Sequence, residues 1–406
     1  MTALFSPQRR IVILGGGYAG LTVAQRLSKQ KPDAQITLID AKPAFEERIR
    51  LHQIAAGQTL DSFSYSAFLS PLGVDFIQAY ITAIDPDSQN VSLEYATGTG
   101  GNIAYDYLVY ALGSFMNVDQ VSGVREFAHA FDSVEVAKKL YSTLRESPNA
   151  QVLVVGGGLT GIETACELAE CLPDLRVTLA TSEPFRASRT PGGFSEKTVQ
   201  YLHEGLERRK VRLQTGKRIV QLKAGEAMMS DGTQMAFDAC VWTSGFKPSP
   251  LAAKAGIRVN DHGQIEVDES LRSLSHPNIV AVGDAASASS ESAGSCRMGS
   301  ATALAMAPTG AKTILALLMN KTPPSFRFVY LFRNICLGRE DGIIQFVDRR
   351  DIPREIVWTG TAAAKWKEFV CQTTLSMIGL TSSGTLPLLP PLRTLPQLMQ
   401  GMRQYA

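Results

Sequence analysis

Residues 152–170 read VLVVGGGLTGIETACELAE, and residues 11–27 read IVILGGGYAGLTVAQRL. One syntax is spelled twice. In the earlier copy Ile11, Val12, Ile13 and Leu14 form a short apolar run suited to a buried parallel strand. Gly15, Gly17 and Gly20 follow in GxGxxG spacing, and Leu21, Ala24 and Leu27 then recur at helical spacing. Strand, turn and helix stand in the order that a dinucleotide-binding turn requires. The first glycine permits the tight turn, the second lets backbone approach a pyrophosphate, and the third lets the helix pack against the strand. The free N–H groups at the helix start then face phosphate.

The two copies differ in the strand after each turn. After the first, Ile36 to Ile39 forms the next strand and Asp40 ends it, 25 residues beyond Gly15, where a carboxylate accepts from ribose hydroxyls. After the second turn, with Gly156, Gly158 and Gly161, the strand Val177-Thr178-Leu179 leads at the same spacing to Thr181, so the acid is missing. Glu183 comes two residues later, and Arg186 and Arg189 lie just beyond. These arginines either decorate a surface loop or meet a 2′-phosphate. The choice between NADH and NADPH stays open, with a lean to NADPH.

Bulk properties narrow the function. A chain of 406 residues predicts two or three domains. A net charge of +2 with 19% charged residues supplies no field for nucleic acid. The dense basic run Arg208-Arg209-Lys210 with Arg212 reads as a solvated helix end that complements the helix dipole. No signal peptide is expected at the N-terminus. No membrane span is expected either, because the apolar stretch Ala301 to Met319 is broken by Pro308 and Lys312. Six cysteines without CxxC spacing read as reduced thiols, with no metal site. HExxH, GxSxG and a complete phosphate loop are all absent, which leaves hydrolase readings without support.

With these motifs in place, the chain resembles the two-dinucleotide-binding flavoproteins, and within them the type II NADH dehydrogenase-like group. Tyr107 to Gly113, YLVYALG, resembles the strand ending in ATG that closes the first FAD segment, and Asn278 to Ala285, NIVAVGDA, resembles the late flavin-side element. Cys240 to Pro248 looks like the return crossing to the FAD domain. The resemblance implies an α/β protein with two Rossmann-like nucleotide-binding domains, the FAD domain discontinuous, plus a C-terminal α+β region. The expected limits are 1–113 and 247–322 for FAD, 114–246 for NAD(P)H, and 323–406 for the last region.

The FAD set it implies is Gly15, Gly16, Gly17, Tyr18, Ala19, Gly20, Asp40, Lys42, Arg50, Ile81, Leu112, Gly113, Gly283 and Asp284. The NAD(P)H set is Gly156, Gly158, Leu159, Thr160, Gly161, Glu163, Thr181, Arg186 and Gly245. The segment AKPAFEERIRLHQIAAG after Asp40 looks like the one lying against the isoalloxazine ring, with Leu51, His52 and Gln53 nearest. His52 and Gln53 are the catalytic candidates; the other reading of His52 is a packed histidine with one satisfied nitrogen. Family members carry two glutamines beside the quinone, whereas Ser300 to Gly310 here holds none. The start of that helix still aims N–H groups at the flavin carbonyl.

Cys166 and Cys171 have the CxxxxC spacing of a redox disulfide but lie after the second turn, on different faces of one helix, and read as structural. Cys296, near the flavin segment, stays open as a thiol that meets flavin. Near the C-terminus, strands are expected at 330–332, 335–338 and 341–347, with a hairpin turn at Asp341-Gly342. A helix follows from Thr361 with Trp366, Phe369, Val370 and Met377 on one side. The segment Thr385 to Leu392, followed by Arg393 and Arg403, would suit a membrane surface; a dimer contact or packing on its own domain are the alternatives.

The sequence therefore points to an FAD-dependent NAD(P)H dehydrogenase that passes electrons to a quinone-type acceptor. Its expected location is cytoplasmic or peripheral on the inner membrane face. Two alternatives are a redox-sensing nucleotide-binding flavoprotein and a soluble reductase of a small iron–sulfur protein.

Overall fold

The structure is a computed structural model that describes residues 8–381. The apolar run at the N-terminus becomes β1 (Arg9–Leu14), followed by α1 (Tyr18–Lys29), β2 (Ala34–Asp40), the short α2 (Leu51–Ala55), β3 (Asp75–Gln78) and β4 (Tyr107–Tyr110). One parallel sheet runs in the order Ile279–Ala281, β4, β1, β2, β3, so its edge strand comes from far along the chain. That strand makes the first nucleotide domain discontinuous. Passing from β1 into α1 needs glycine twice over. Gly15 holds φ of +96°, and a Cβ on Gly20 would stand 1.9 Å from the Gly15 carbonyl oxygen.

The chain leaves this domain through β5 (Ser114–Met116) and builds a second parallel sheet. Its elements are β6 (His129–Ala130), α3 (Val134–Arg145), β7 (Gln151–Val155), α4 (Leu159–Cys171), β8 (Arg176–Thr181), α5 (Glu196–Arg208), β9 (Arg212–Thr215) and β10 (Ala239–Trp242). The strand order is β6, β10, β7, β8, β9. Here Gly156 holds φ of +126°, and a Cβ on Gly161 would again stand 1.9 Å from the carbonyl oxygen of the turn's first glycine. The chain returns through β11 (Phe246–Pro248), which pairs antiparallel with β5, so the outward and return crossings form one ribbon.

After β12 (Ile279–Ala281) comes α6 (Ser300–Leu318). This helix is long and apolar enough to cross a membrane, yet 56% of its apolar window is buried in the fold. It packs on α1, and a Cβ on Gly310 would reach 2.7 Å from Val282. Pro308 and Lys312 lie within this helix and do not interrupt it.

The last described region is a three-stranded antiparallel sheet, β13 (Phe332–Cys336), β14 (Gly342–Val347) and β15 (Pro353–Thr359), crossed by α7 (Thr361–Ile378). The expected strands at 330–332 and 335–338 merge into β13, and β15 has no counterpart among the expected strands. The hairpin forms, but Asp341-Gly342 is not its two-residue turn: Cys336 pairs with Gly342 across residues 337–341. Asp341 instead accepts from the Tyr201 hydroxyl and from Arg208 Nη2, each at 2.9 Å. Arg208 ends α5, and Arg208, Lys210 and Arg212 are exposed as a solvated helix end should be, but Arg209 departs from that reading. Arg209, largely buried, bridges Glu170 at 2.9 Å and Asp341 at 3.3 Å. The segment Thr385 to Leu392, Arg393 and Arg403 lie outside the described residues.

A buried ion pair ties this third region to the second nucleotide domain. Glu163 of α4 accepts the Cys336 N–H at 3.1 Å and pairs with Lys367 of α7, both side chains about nine-tenths buried. Burial opposes the lysine charge, but neighbouring Cys336 and Glu163 outweigh it and hold its pKa above the usual lysine value. Replacing Lys367 by Met strands a buried carboxylate and should cost about 3–5 kcal/mol of stability. Adding Glu163→Leu should recover most of that loss, read as urea midpoints of the single and double variants.

Candidate active site

A cleft of about 1140 Å³ lies where the three regions meet. One wall carries Gly15, Gly17, Tyr18 and Ala19 from the first turn, with Leu112, Gly113, Gly283 and Asp284 beside them. Leu159, Thr160 and Glu163 from the start of α4 line another side. A further wall comes from α7, where Trp366, Phe369, Val370 and Met377 supply apolar lining beside Lys367 and Thr373, and the start of α6 at Ser300, Ala301 and Thr302 lines the cleft as well. The expected one-sided apolar pattern of α7 is therefore the lining of this cleft.

The residues at the first turn fit a dinucleotide. Among the described residues no atom lies within 4 Å of where a Cβ on Gly17 or Gly113 would be, so bare backbone is uncovered at both. Asp40 accepts the Gly16 N–H at 2.7 Å and the Lys42 N–H at 2.9 Å, which fixes its carboxylate at the end of β2. Burial raises its pKa, against those two donors. Gly16 does not reach the cleft, because the Tyr65 ring covers it and the Tyr65 hydroxyl donates to its carbonyl at 3.0 Å. Asp284 accepts from Ser114 Oγ at 2.6 Å and from the Gly299 N–H at 2.7 Å, so it sits between β5 and the start of α6. The Lys42 ammonium pairs with Glu46, whose Oε2 also accepts the Val134 N–H at the start of α3.

Of the flavin-side candidates only His52 lines the cleft. Leu51 and Gln53 are buried in the fold, and Gln53 Oε1 accepts from Arg50 Nε at 2.9 Å. Arg50 also departs from its expected place. It lies outside the lining and pairs with Glu368 of α7 at 3.1 Å. Ile81 stands outside the cleft too, on an antiparallel strand just beyond Ala79, whose N–H donates to the Asp40 carbonyl at 3.0 Å. His52 Nδ1 is 4.0 Å from Glu163 Oε2, and Nε2 is buried without a partner among the described residues. Burial, and then the charges of Lys367, Arg339 and Arg50, push its pKa well below the ordinary histidine value, so the imidazole is neutral.

The second turn reproduces the first. Gly158, like Gly17, has nothing among the described residues within 4 Å of a would-be Cβ, and Gly157 is overlain by Thr181 as Gly16 is by Tyr65. Gly156, Gly158, Gly161, Thr181 and Arg186 lie outside the cleft lining, which takes Leu159 and Thr160 from this turn. Gly245, at φ +77°, precedes β11 where the crossings meet, and its carbonyl accepts the Asn117 N–H. Glu163, expected to serve NAD(P)H, lines the cleft but is engaged by Lys367.

Tyr65, Arg48 and Ser114 are among the lining residues outside the expected set. Tyr65 is far from the turn it covers and carries no local signal. Arg48, which donates to the Ser114 carbonyl, stands inside the ERIRLHQ segment, and Ser114 immediately follows Leu112-Gly113. Cys166 and Cys171 are free, and burial pushes Cys166 up to about 12. Cys296 is free and buried outside the lining, with its pKa raised by burial to about 11, which leaves little thiolate for chemistry.

Comparison with known proteins gives this architecture a family. Residues 9–307 match the family of pyridine nucleotide-disulphide oxidoreductases, and the chain belongs to it. It is 32% identical over 302 residues to an NADH dehydrogenase-like protein of Mycobacterium tuberculosis, covering 69% of this chain and 73% of that one. Against a type II NADH:quinone oxidoreductase of Staphylococcus haemolyticus it is 28% identical over 410 residues, covering 92% and 96%. In fold it is similar to the sulfide:quinone oxidoreductase of Aquifex aeolicus, with a TM-score of 0.75 at 22% identity and 91% of each chain covered. The protein is thus an oxidoreductase whose cofactors are FAD and NAD(P)H.

Two outcomes test the site. A Gly15→Val chain places a β-branched residue at φ +96°, with its Cβ 2.5 Å from the Ala111 carbonyl oxygen, and should purify colourless at 450 nm. Below about pH 6.5 the unfolded chain takes up a proton that folded His52 refuses. Its contribution to stability is therefore complete above that pH and falls as pH drops, by up to about 1.4 kcal/mol per unit. Urea midpoints between pH 7.5 and 5 should decline less steeply for His52→Asn than for the parent protein.

Proposed function

We propose that the protein oxidises NAD(P)H and delivers the electrons to a quinone-type acceptor. One observation carries this reading: a single cleft is lined by the starts of both glycine-turn helices and closed by the apolar face of α7. Bound FAD supplies a carrier that takes hydride from the nicotinamide and releases electrons onward. Gly15, Gly17, Asp40, Gly113 and Asp284 would hold it.

The chain's own groups do the rest. Leu159 and Thr160 bring the second nucleotide to the cleft beside Glu163, and the first N–H groups of α6, at Ser300 to Thr302, present a positive helix end where negative charge gathers. Trp366, Phe369, Val370 and Met377 offer an apolar surface, which suits a quinone ring. His52, neutral and buried, positions rather than donates: its neighbours disfavour the imidazolium. The relative from Staphylococcus haemolyticus, named a type II NADH:quinone oxidoreductase, supports the same acceptor class. A lipid-soluble acceptor would bring the enzyme to a membrane surface, and the apolar segment from Thr385 to Leu392 would suit that contact.

Anaerobic stopped-flow separates the halves. The yellow protein should bleach on mixing with NAD(P)H and recover its colour with menadione or a short-chain ubiquinone at least about tenfold faster than with oxygen. Trp366→Ala should slow recovery by quinone more than it slows bleaching. Recovery no faster with quinones than with oxygen would remove this acceptor class.

A further inference from the structure

The two glycine turns end in different chemistry. Asp40 and Thr181 occupy matching places, for Asp40 accepts the Gly16 N–H at 2.7 Å and Thr181 Oγ1 stands 2.4 Å from a would-be Cβ on Gly157. A carboxylate in that place takes ribose hydroxyls and repels a phosphate esterified to one of them. Thr181 has no charge, and its hydroxyl is engaged by the Glu183 carbonyl at 3.0 Å.

The loop after β8, residues 182–195, is held in shape. The Ser188 N–H donates to the Phe194 carbonyl at 2.9 Å and the Gly193 N–H to the Thr190 carbonyl at 2.9 Å. From β13, the buried Arg333 donates to the carbonyls of Gly192 and Gly193, and the Gly192 N–H reaches the Asp351 carbonyl at 3.2 Å. Phe185 packs under the turn, 3.5 Å from a would-be Cβ on Gly157.

On this anchored loop neither Arg186 nor Arg189 makes a side-chain hydrogen bond or ion pair among the described residues. Other arginines of the same two regions are engaged: Arg209 with Glu170, Arg333 with Asp351, and Arg339 with Glu167. The one carboxylate on the loop, Glu183, is exposed and bonds neither guanidinium. A free guanidinium fork beside a neutral strand end is suited to a phosphate monoester.

We propose that the loop reads the 2′-phosphate of NADPH through Arg186 and Arg189, so that NADPH is the preferred donor. This rests on the reading that the second turn holds the nicotinamide dinucleotide, and it is independent of the acceptor. Glu183 opposes the same phosphate, and Glu183→Gln should strengthen the preference.

The test is calorimetric titration of the holoenzyme with 2′,5′-ADP and with 5′-AMP, which lacks only the 2′-phosphate, joined to anaerobic bleaching of the flavin by NADPH and by NADH with no acceptor present. The intact protein should bind 2′,5′-ADP about 10- to 100-fold more tightly than 5′-AMP, the range expected of one or two charge-assisted bonds. The Arg186→Ala/Arg189→Ala variant should bring the two ligands to within about twofold of each other and lower the NADPH-to-NADH ratio of bleaching rates correspondingly. Equal binding of both ligands by the intact protein, or a ratio unmoved in the double variant, overturns the assignment while bleaching by NADH upholds the underlying dehydrogenase. Absence of binding and of bleaching with every nucleotide overturns both.

Discussion

A strand must pass into a helix with no side chain between them. At both turns a Cβ on the third glycine would stand 1.9 Å from the carbonyl of the first, a distance that no side chain survives. Because α1 and α4 start that close to their sheets, their leading N–H groups stand above the carboxyl ends of β1 and β7. There the second glycine of each turn is uncovered among the described residues. Everything else about the site is arranged around those two bare helix starts: the closing strand β4, the late pair Gly283-Asp284, and the crossing ribbon of β5 and β11.

The third region completes the site by enclosing it. Two nucleotide domains joined by a two-stranded ribbon would leave an open crevice between them. The sheet of β13, β14 and β15 spans it instead. It is anchored by Glu163 with Lys367, by Arg209 with Asp341, and by Arg333 on the loop after β8. Pairs as buried as Glu163 and Lys367 contribute little net stability against apolar residues of equal volume, but they are costly to break singly, and so they specify one docking geometry. With the sheet in place, α7 lays its aromatic face across the cleft. The same contacts leave His52 buried, without a partner at Nε2 among the described residues and near the charges of Lys367, Arg339 and Arg50, a setting in which a neutral imidazole is the stable form.

Much of this was legible in the residues. Short apolar runs followed by glycines at fixed spacing specified two strand–turn–helix units, and Asp40 and Thr181 emerged by counting from the first glycine of each. The helix from Ser300 and the helix from Thr361 were also legible, the latter from its helical spacing. The departures have a common cause. Asp341-Gly342 has the composition of a tight turn, but its carboxylate serves Tyr201 and Arg208 from a distant helix. Arg50 was expected near the flavin and pairs with Glu368, more than three hundred residues away. Tyr65, which covers Gly16, shares no local pattern with it.

Local covalent geometry is therefore what the chain encodes on its own: glycine admits a positive φ and a close approach wherever it stands, and apolar period distinguishes strand from helix before any packing occurs. Which charged groups meet is decided only when the three regions dock. An ion pair depends on two side chains brought within a few ångströms through burial of apolar surface elsewhere, and neither partner's sequence neighbourhood records the other. The turns belong to the sequence; the enclosed cleft, its neutral histidine and the engaged Glu163 belong to the tertiary structure.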